Sequence, residues 1–127
     1  MTTRPVFVAA QVLTASEQNQ LATAIIAIRD ATGASTTALL ADDGKLITMS
    51  NASANTFTVP PNSSVAFGIG TQLNIMQLGA GQVTVTAGAG VTLRSEGNKL
   101  KTKGQYAVVT CAKILTNTWV VVGNLSA

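Results

Sequence analysis

Gly79-Ala80-Gly81-Gln82-Val83-Thr84-Val85-Thr86-Ala87-Gly88-Ala89-Gly90 is the stretch on which the fold of this 127-residue chain turns. Val83 and Val85 fall on one side of an alternating segment, and Gln82, Thr84 and Thr86 on the other. That is the period of a half-buried β-strand. The flanking glycine triplets can supply the positive φ angles of tight corners. A phosphate-binding glycine loop is the competing reading, but neither triplet is followed by a helix or by Lys-Ser/Thr.

Working outward, the same texture runs from Thr36 to the C-terminus: Thr, Val, Ile and Gly, punctuated about every ten residues, as in an all-β sandwich or barrel. Thr37 to Ala41 and Lys45 to Ser50 flank Asp42-Asp43-Gly44, whose Asp-Gly step predicts a hairpin. Asn55 to Val59 reads as a strand stopped by Pro60-Pro61, which cannot enter a central ladder. Further strands are expected at Thr71 to Leu78, Gln82 to Thr86 and Val91 to Arg94. Gln105 to Leu115 and Thr118 to Val122 carry the longest apolar strands, joined around Thr116-Asn117. Trp119 and Tyr106 are expected as core or interface anchors.

Ahead of this region the pattern differs. Met1 to Leu13 reads as an extended arm, broken from any helix by Arg4-Pro5. Thr14-Ala15-Ser16-Glu17 is a capping box, and Leu21, Ile25 and Ile28 then recur at helical spacing, predicting one helix over Ala15 to Asp30. The expected architecture is therefore mainly β. It is a compact antiparallel β-sandwich or barrel (residues 36–127) with an N-terminal arm and amphipathic helix (residues 1–35).

Composition narrows the function. Charged residues make up 10% of the chain, against about 25% in an ordinary soluble domain, while 46% of residues are hydrophobic. Disorder is excluded, because it combines high charge with low hydrophobicity. So little charge suits a surface covered by copies of itself or by a larger assembly. The chain has no His and one Cys, which rules out His-based triads, His-ligated metals and multi-Cys zinc sites. The reading is no enzyme, no catalytic residues, no cofactor and no metal. Cys111, inside an apolar run, reads as a small buried hydrophobe. Asp42 and Asp43 are the sole adjacent carboxylates and read as turn formers. With no long apolar run, no membrane span is expected.

Net charge is +3, and the basic residues concentrate at Arg94, Lys99, Lys101 and Lys103. Gly97-Asn98 breaks this run, so Arg94 and Lys99 are expected to face each other across a hairpin-like loop. Such a tip can meet phosphates, an acidic polysaccharide or an acidic protein patch, or simply remain solvated. Specific nucleic-acid binding calls for more basic surface interleaved with aromatics.

The order of several segments resembles a small β-domain of tailed-bacteriophage virion proteins. They are Asp43-Gly44-Lys45-Leu46-Ile47-Thr48-Met49, Asn55-Thr56-Phe57-Thr58-Val59-Pro60-Pro61-Asn62 and Phe67-Gly68-Ile69-Gly70-Thr71-Gln72. Then follow Gly79 to Val85, Gly88-Ala89-Gly90-Val91, Gly104-Gln105-Tyr106 and Thr118 to Gly123. Phe7 to Asn19 is similar to the leader preceding such domains in tail and head-surface proteins. The resemblance implies a structural virion component, commonly a homotrimer. Lacking a long shaft, the chain is expected to act as a capsid decoration (cement) protein bound to the major capsid protein at the capsid surface. The alternative is a tail fibre or minor tail protein contacting other tail proteins or a host-surface glycan. On the first reading Arg4, Pro5, Val6, Phe7 and Val8 contact the lattice. Leu21, Ile25 and Ile28 pack at the subunit interface, and the Arg94 to Lys103 loop faces an acidic capsid surface or solvent.

Overall fold

The computed structural model describes residues 27–127. The arm, with Arg4, Pro5, Val6, Phe7 and Val8, and the helix positions Leu21 and Ile25 lie outside the described residues. The described chain is mainly β, in two sheets without barrel closure. Its strands are β1 (Ile28–Ala31), β2 (Ser35–Thr37), β3 (Leu46–Met49), β4 (Asn55–Val59), β5 (Gln72–Gln77), β6 (Val83–Ala87), β7 (Thr92–Arg94), β8 (Lys101–Thr102), β9 (Val108–Leu115), β10 (Thr118–Gly123) and β11 (Leu125–Ser126). Sheet A has the order β1-β3-β5-β9-β10-β7, and sheet B the order β11-β8-β6-β4-β2.

The topology is not antiparallel throughout. The chain alternates between the sheets, so β1, β3 and β5 pair in parallel in sheet A. In the same way β2, β4 and β6 pair in parallel in sheet B. These six strands form three stacked coils. Antiparallel pairing begins only afterwards: β9 lies against β5 and β10 against β9 in sheet A, and β8 against β6 and β11 against β8 in sheet B. The strands expected to join around Thr116-Asn117 do so there, where a hairpin links β9 to β10.

Three local expectations are corrected. The predicted helix does not extend to Asp30, because Ile28–Ala31 is strand β1, in register with Leu46–Met49. Asp42-Asp43-Gly44 does form a tight turn, with the Lys45 N–H donating to the Asp42 carbonyl at 2.9 Å and Gly44 at φ 75. That turn carries the chain from sheet B to sheet A, however, and joins no hairpin. Ahead of it, Leu40–Asp42 is a 3-10 turn rather than strand.

The third correction concerns the glycine triplets. Of their glycines only Gly90 has positive φ, at 77. The others matter because coil corners stack backbone on backbone. The Gly79 N–H donates to the Met49 carbonyl at 3.0 Å, that of Gly81 to Asn51 at 3.1 Å, and that of Gly88 to Val59 at 2.8 Å. A Cβ on Gly81 would lie 1.9 Å from the Ser53 carbonyl oxygen. Close approach, not turn conformation, selects glycine there.

Alternation fills the space between the sheets. Ile47, Met49, Leu73, Ile75, Val109, Cys111, Trp119 and Val121 enter from sheet A, and Phe57, Val59, Val83 and Val85 from sheet B. Trp119 is a core anchor, edge-on to Phe67 with ring centroids 5.5 Å apart. Polar groups admitted to the interior are held by specific partners. The Thr102 hydroxyl donates to Gln77 Oε1 at 2.5 Å and accepts the Val83 N–H at 3.0 Å. The buried Lys113 ammonium donates to Asn62 Oδ1 at 2.8 Å and to the Phe67 carbonyl at 2.6 Å, fastening the long connection between β4 and β5.

Candidate functional site

The side of sheet A turned away from the core is built by the residues that alternate with those core positions. In register across the strands stand Ile28, Leu46, Asn74, Thr110 and Val122. A neighbouring row runs Asp30, Thr48, Met76 and Val108, and another joins Gln72, Ala112, Val120 and Arg94. Val108, Ile114 and Val122 are exposed, and Ile28 at the edge is 65% exposed. The four strands β3, β5, β9 and β10 present no charged side chain on this face. Asp30 and Arg94 appear only on the marginal strands β1 and β7. Asp30 accepts hydrogen bonds from the Thr48 hydroxyl at 2.7 Å and the Ser50 hydroxyl at 3.1 Å. A contiguous, partly apolar sheet face with an uncharged centre is a candidate interaction surface.

Sequence reading overlooked this face. It takes Gln105 to Leu115 and Thr118 to Val122 as the longest apolar strands and assigns no role to either of their faces. The usable signal is that Val108-Val109 and Val120-Val121-Val122 are apolar at both parities, which fits strands covered on two faces. Ile28, expected on an interfacial helix, sits instead on the edge strand of this face.

The basic segment is also rearranged. Arg94 ends β7 in sheet A, paired in parallel with Val120, whereas Lys101 belongs to β8 in sheet B. The two strands do not pair, so the residues between them cross from one sheet to the other and form no hairpin. Gly97 and Asn98, at φ 63 and 56, make the crossing turn. Arg94, Lys99, Lys101 and Lys103 are all exposed. Among the described residues none of the four makes a salt bridge.

The described carboxylates do not converge. Asp42 is buried and held by Arg29, with Nε–Oδ1 at 2.8 Å and Nη2–Oδ2 at 2.7 Å, and it also accepts the Leu39 N–H at 2.8 Å. This fork-to-fork pair ties β1 to the turn before β3. Among the described residues no group of three His, Cys, Asp or Glu side chains is placed to hold a metal ion. Cys111 lies in the core, where burial pushes its thiol pKa up to about 12. At neutral pH it is a protonated, inaccessible thiol and a poor nucleophile. No described helix is long and apolar enough to cross a membrane.

Comparison with protein-family models and with curated proteins found no match.

Proposed function

We propose that this chain is a structural component of a tailed-bacteriophage particle, a homotrimeric capsid decoration protein bound to the major capsid protein. The observation that carries the reading is the outer face of sheet A. Its uncharged central strands can pack around a threefold axis against two other copies without opposing like charges, and burying its valines contributes about 25 cal/mol per Å² of apolar surface. It accounts for a chain rich in apolar residues and poor in charge. The order of segments resembling phage virion β-domains supplies the setting.

The mechanism is linkage. A protein that binds the assembled shell but not its separated subunits makes disassembly less favourable by mass action, and three joined copies add avidity. In this reading, residues 4–8 reach the lattice. Arg94, Lys99, Lys101 and Lys103 supply positive charge toward an acidic capsid surface or remain in solvent.

Light scattering on the purified chain tests the first step, with a trimer mass expected. Val122→Lys, which places a charge on the outer face of sheet A, is expected to yield monomers with an unchanged β-rich circular dichroism spectrum. Imaging of the particle tests the second step, with density expected at regular sites over the capsid. A monomeric wild-type protein that leaves particles unaltered refutes the proposal. Lys103, which forms no salt bridge among the described residues and lines a groove with exposed Tyr106, favours, as a second reading, a tail fibre or minor tail protein that touches a host surface. Density at the tail instead of the capsid selects it.

A further inference from the structure

The segment Gly104–Ala107 is a hydrogen-bonded turn, the Ala107 N–H donating to the Gly104 carbonyl at 3.1 Å. Tyr106 occupies its third position with φ 70, whereas Gln105 keeps negative φ. Positive φ at the third residue alone defines a type II turn, and that position selects glycine. A bulky side chain there is a conformational outlier.

Packing does not explain why tyrosine holds this place. The side chain is 65% exposed, and its hydroxyl has no hydrogen-bond partner among the described residues. The backbone is nevertheless fastened, since the Tyr106 N–H donates to the Gln77 carbonyl at 2.6 Å and the Gln77 N–H donates in return to the Ala107 carbonyl at 3.0 Å. An outlier held firmly while its ring stands in solvent is a reason to look for function rather than stability.

Tyr106 lines an open groove of about 400 Å³, together with Lys103, Gln105 and Asn124. Lys103 forms no salt bridge with a described carboxylate. The Gln105 amide nitrogen donates to the Leu78 carbonyl at 3.0 Å, leaving the amide oxygen without a partner among the described residues. The groove thus combines one aromatic face, one ammonium and side-chain amides, and no carboxylate lines it. A purely apolar ligand finds too little apolar wall. A nucleic-acid strand calls for successive stacking platforms, and only one ring is present. A sugar bearing a carboxylate uses every group: its C–H face lies on the ring, its acid meets the ammonium and its hydroxyls meet the amides.

We propose that the groove beside Tyr106 binds an acidic saccharide of the uronic-acid class, stacked on Tyr106 with its carboxylate on Lys103. This assignment does not depend on where in a particle the chain sits.

The test is calorimetric titration of the full chain with trigalacturonate, using neutral maltotriose and inorganic tripolyphosphate as comparison ligands. The expected result is binding of trigalacturonate at least tenfold tighter than of either comparison ligand. Lys103→Gln and Tyr106→Gly are each expected to weaken it at least tenfold, and Tyr106→Phe, which keeps the ring, is expected to retain it. Because glycine suits the third position of this turn, Tyr106→Gly is also expected to raise Tm by about 2–5 °C. Absence of trigalacturonate binding overturns the proposal. So does equal affinity for tripolyphosphate, which indicates charge attraction alone. A fall in Tm for Tyr106→Gly overturns it too, because the ring then serves the fold.

Discussion

Replacing Gly81 with alanine adds one methyl group where two chain segments touch. The new Cβ would lie 1.9 Å from the Ser53 carbonyl oxygen, 2.3 Å from its carbon and 2.8 Å from the Asn51 oxygen. All three are backbone atoms, so no side-chain rotation relieves the contact and the two coil corners must separate by about 1 Å or more. Separation stretches the Gly81 N–H bond to Asn51 and the Asn55 N–H bond to Gln82, at 3.1 and 3.0 Å. Overpacking costs about 1–3 kcal/mol. A buried backbone group losing its partner adds about 1–3 kcal/mol. Together these predict about 2–6 kcal/mol of destabilisation. Gly104→Ala is the matched control, since a Cβ there meets nothing within 4 Å and needs no positive φ. Urea unfolding followed by the fluorescence of buried Trp119 measures both variants. If Gly81→Ala lies within 0.5 kcal/mol of Gly104→Ala, a threshold set by ordinary surface substitutions, the stacked-corner argument fails.

Two further predictions rest on single interior groups. Arg29→Ala removes the partner of buried Asp42 and is expected to destabilise the fold by about 3 kcal/mol. In a double-mutant cycle with Asp42→Ala, a coupling near zero contradicts the fork-to-fork pairing. Cys111 holds its proton more tightly in the folded chain, with its pKa raised from 9.0 to about 12. Its contribution is therefore fully present below pH 9 and is lost as pH rises toward 12, at up to about 1.4 kcal/mol per pH unit. Denaturation midpoints from pH 8 to 11 are expected to fall more steeply for the wild type than for Cys111→Ala, and parallel curves contradict the assignment.

Strand positions were legible because they depend on side-chain alternation, which any buried sheet face imposes locally. Asn55–Val59 was read with the bounds that the structure gives it, and Val83–Ala87 within one residue. Partnership was not legible. Asp43-Gly44 and Gly97-Asn98 turn the chain tightly, as their composition predicts, yet each delivers it to the opposite sheet instead of back along the preceding strand. A tight turn constrains a few dihedral angles. Whether the next strand pairs with the last or crosses to another layer depends on contacts far away in sequence. The coils also leave no repeat to see, because Ile28 aligns with Leu46 and Leu46 with Asn74 at unequal steps.

The candidate surfaces divide the same way. Exposure of Lys99, Lys101 and Lys103 follows from the cost of burying an ammonium group. Lys113 shows that the cost is met when partners are supplied, and no pattern in the sequence placed Asn62 and Phe67 around it. Tyr106, expected as a core or interface anchor, is not in the core: its backbone is left-handed and its ring is exposed.

Composition and alternation by themselves determined a β-rich chain without histidine chemistry, with a valine-lined core and a scarcity of charge that calls for covered surface. Only the tertiary structure decided that its strands wind in parallel coils before doubling back. It also decided that three glycines are needed for backbone contact, and that the four central strands of sheet A present no charge on their outer face. Side-chain periodicity is local and survives in the sequence, whereas strand pairing and stacking are long-range contacts that exist only once the chain has closed on itself.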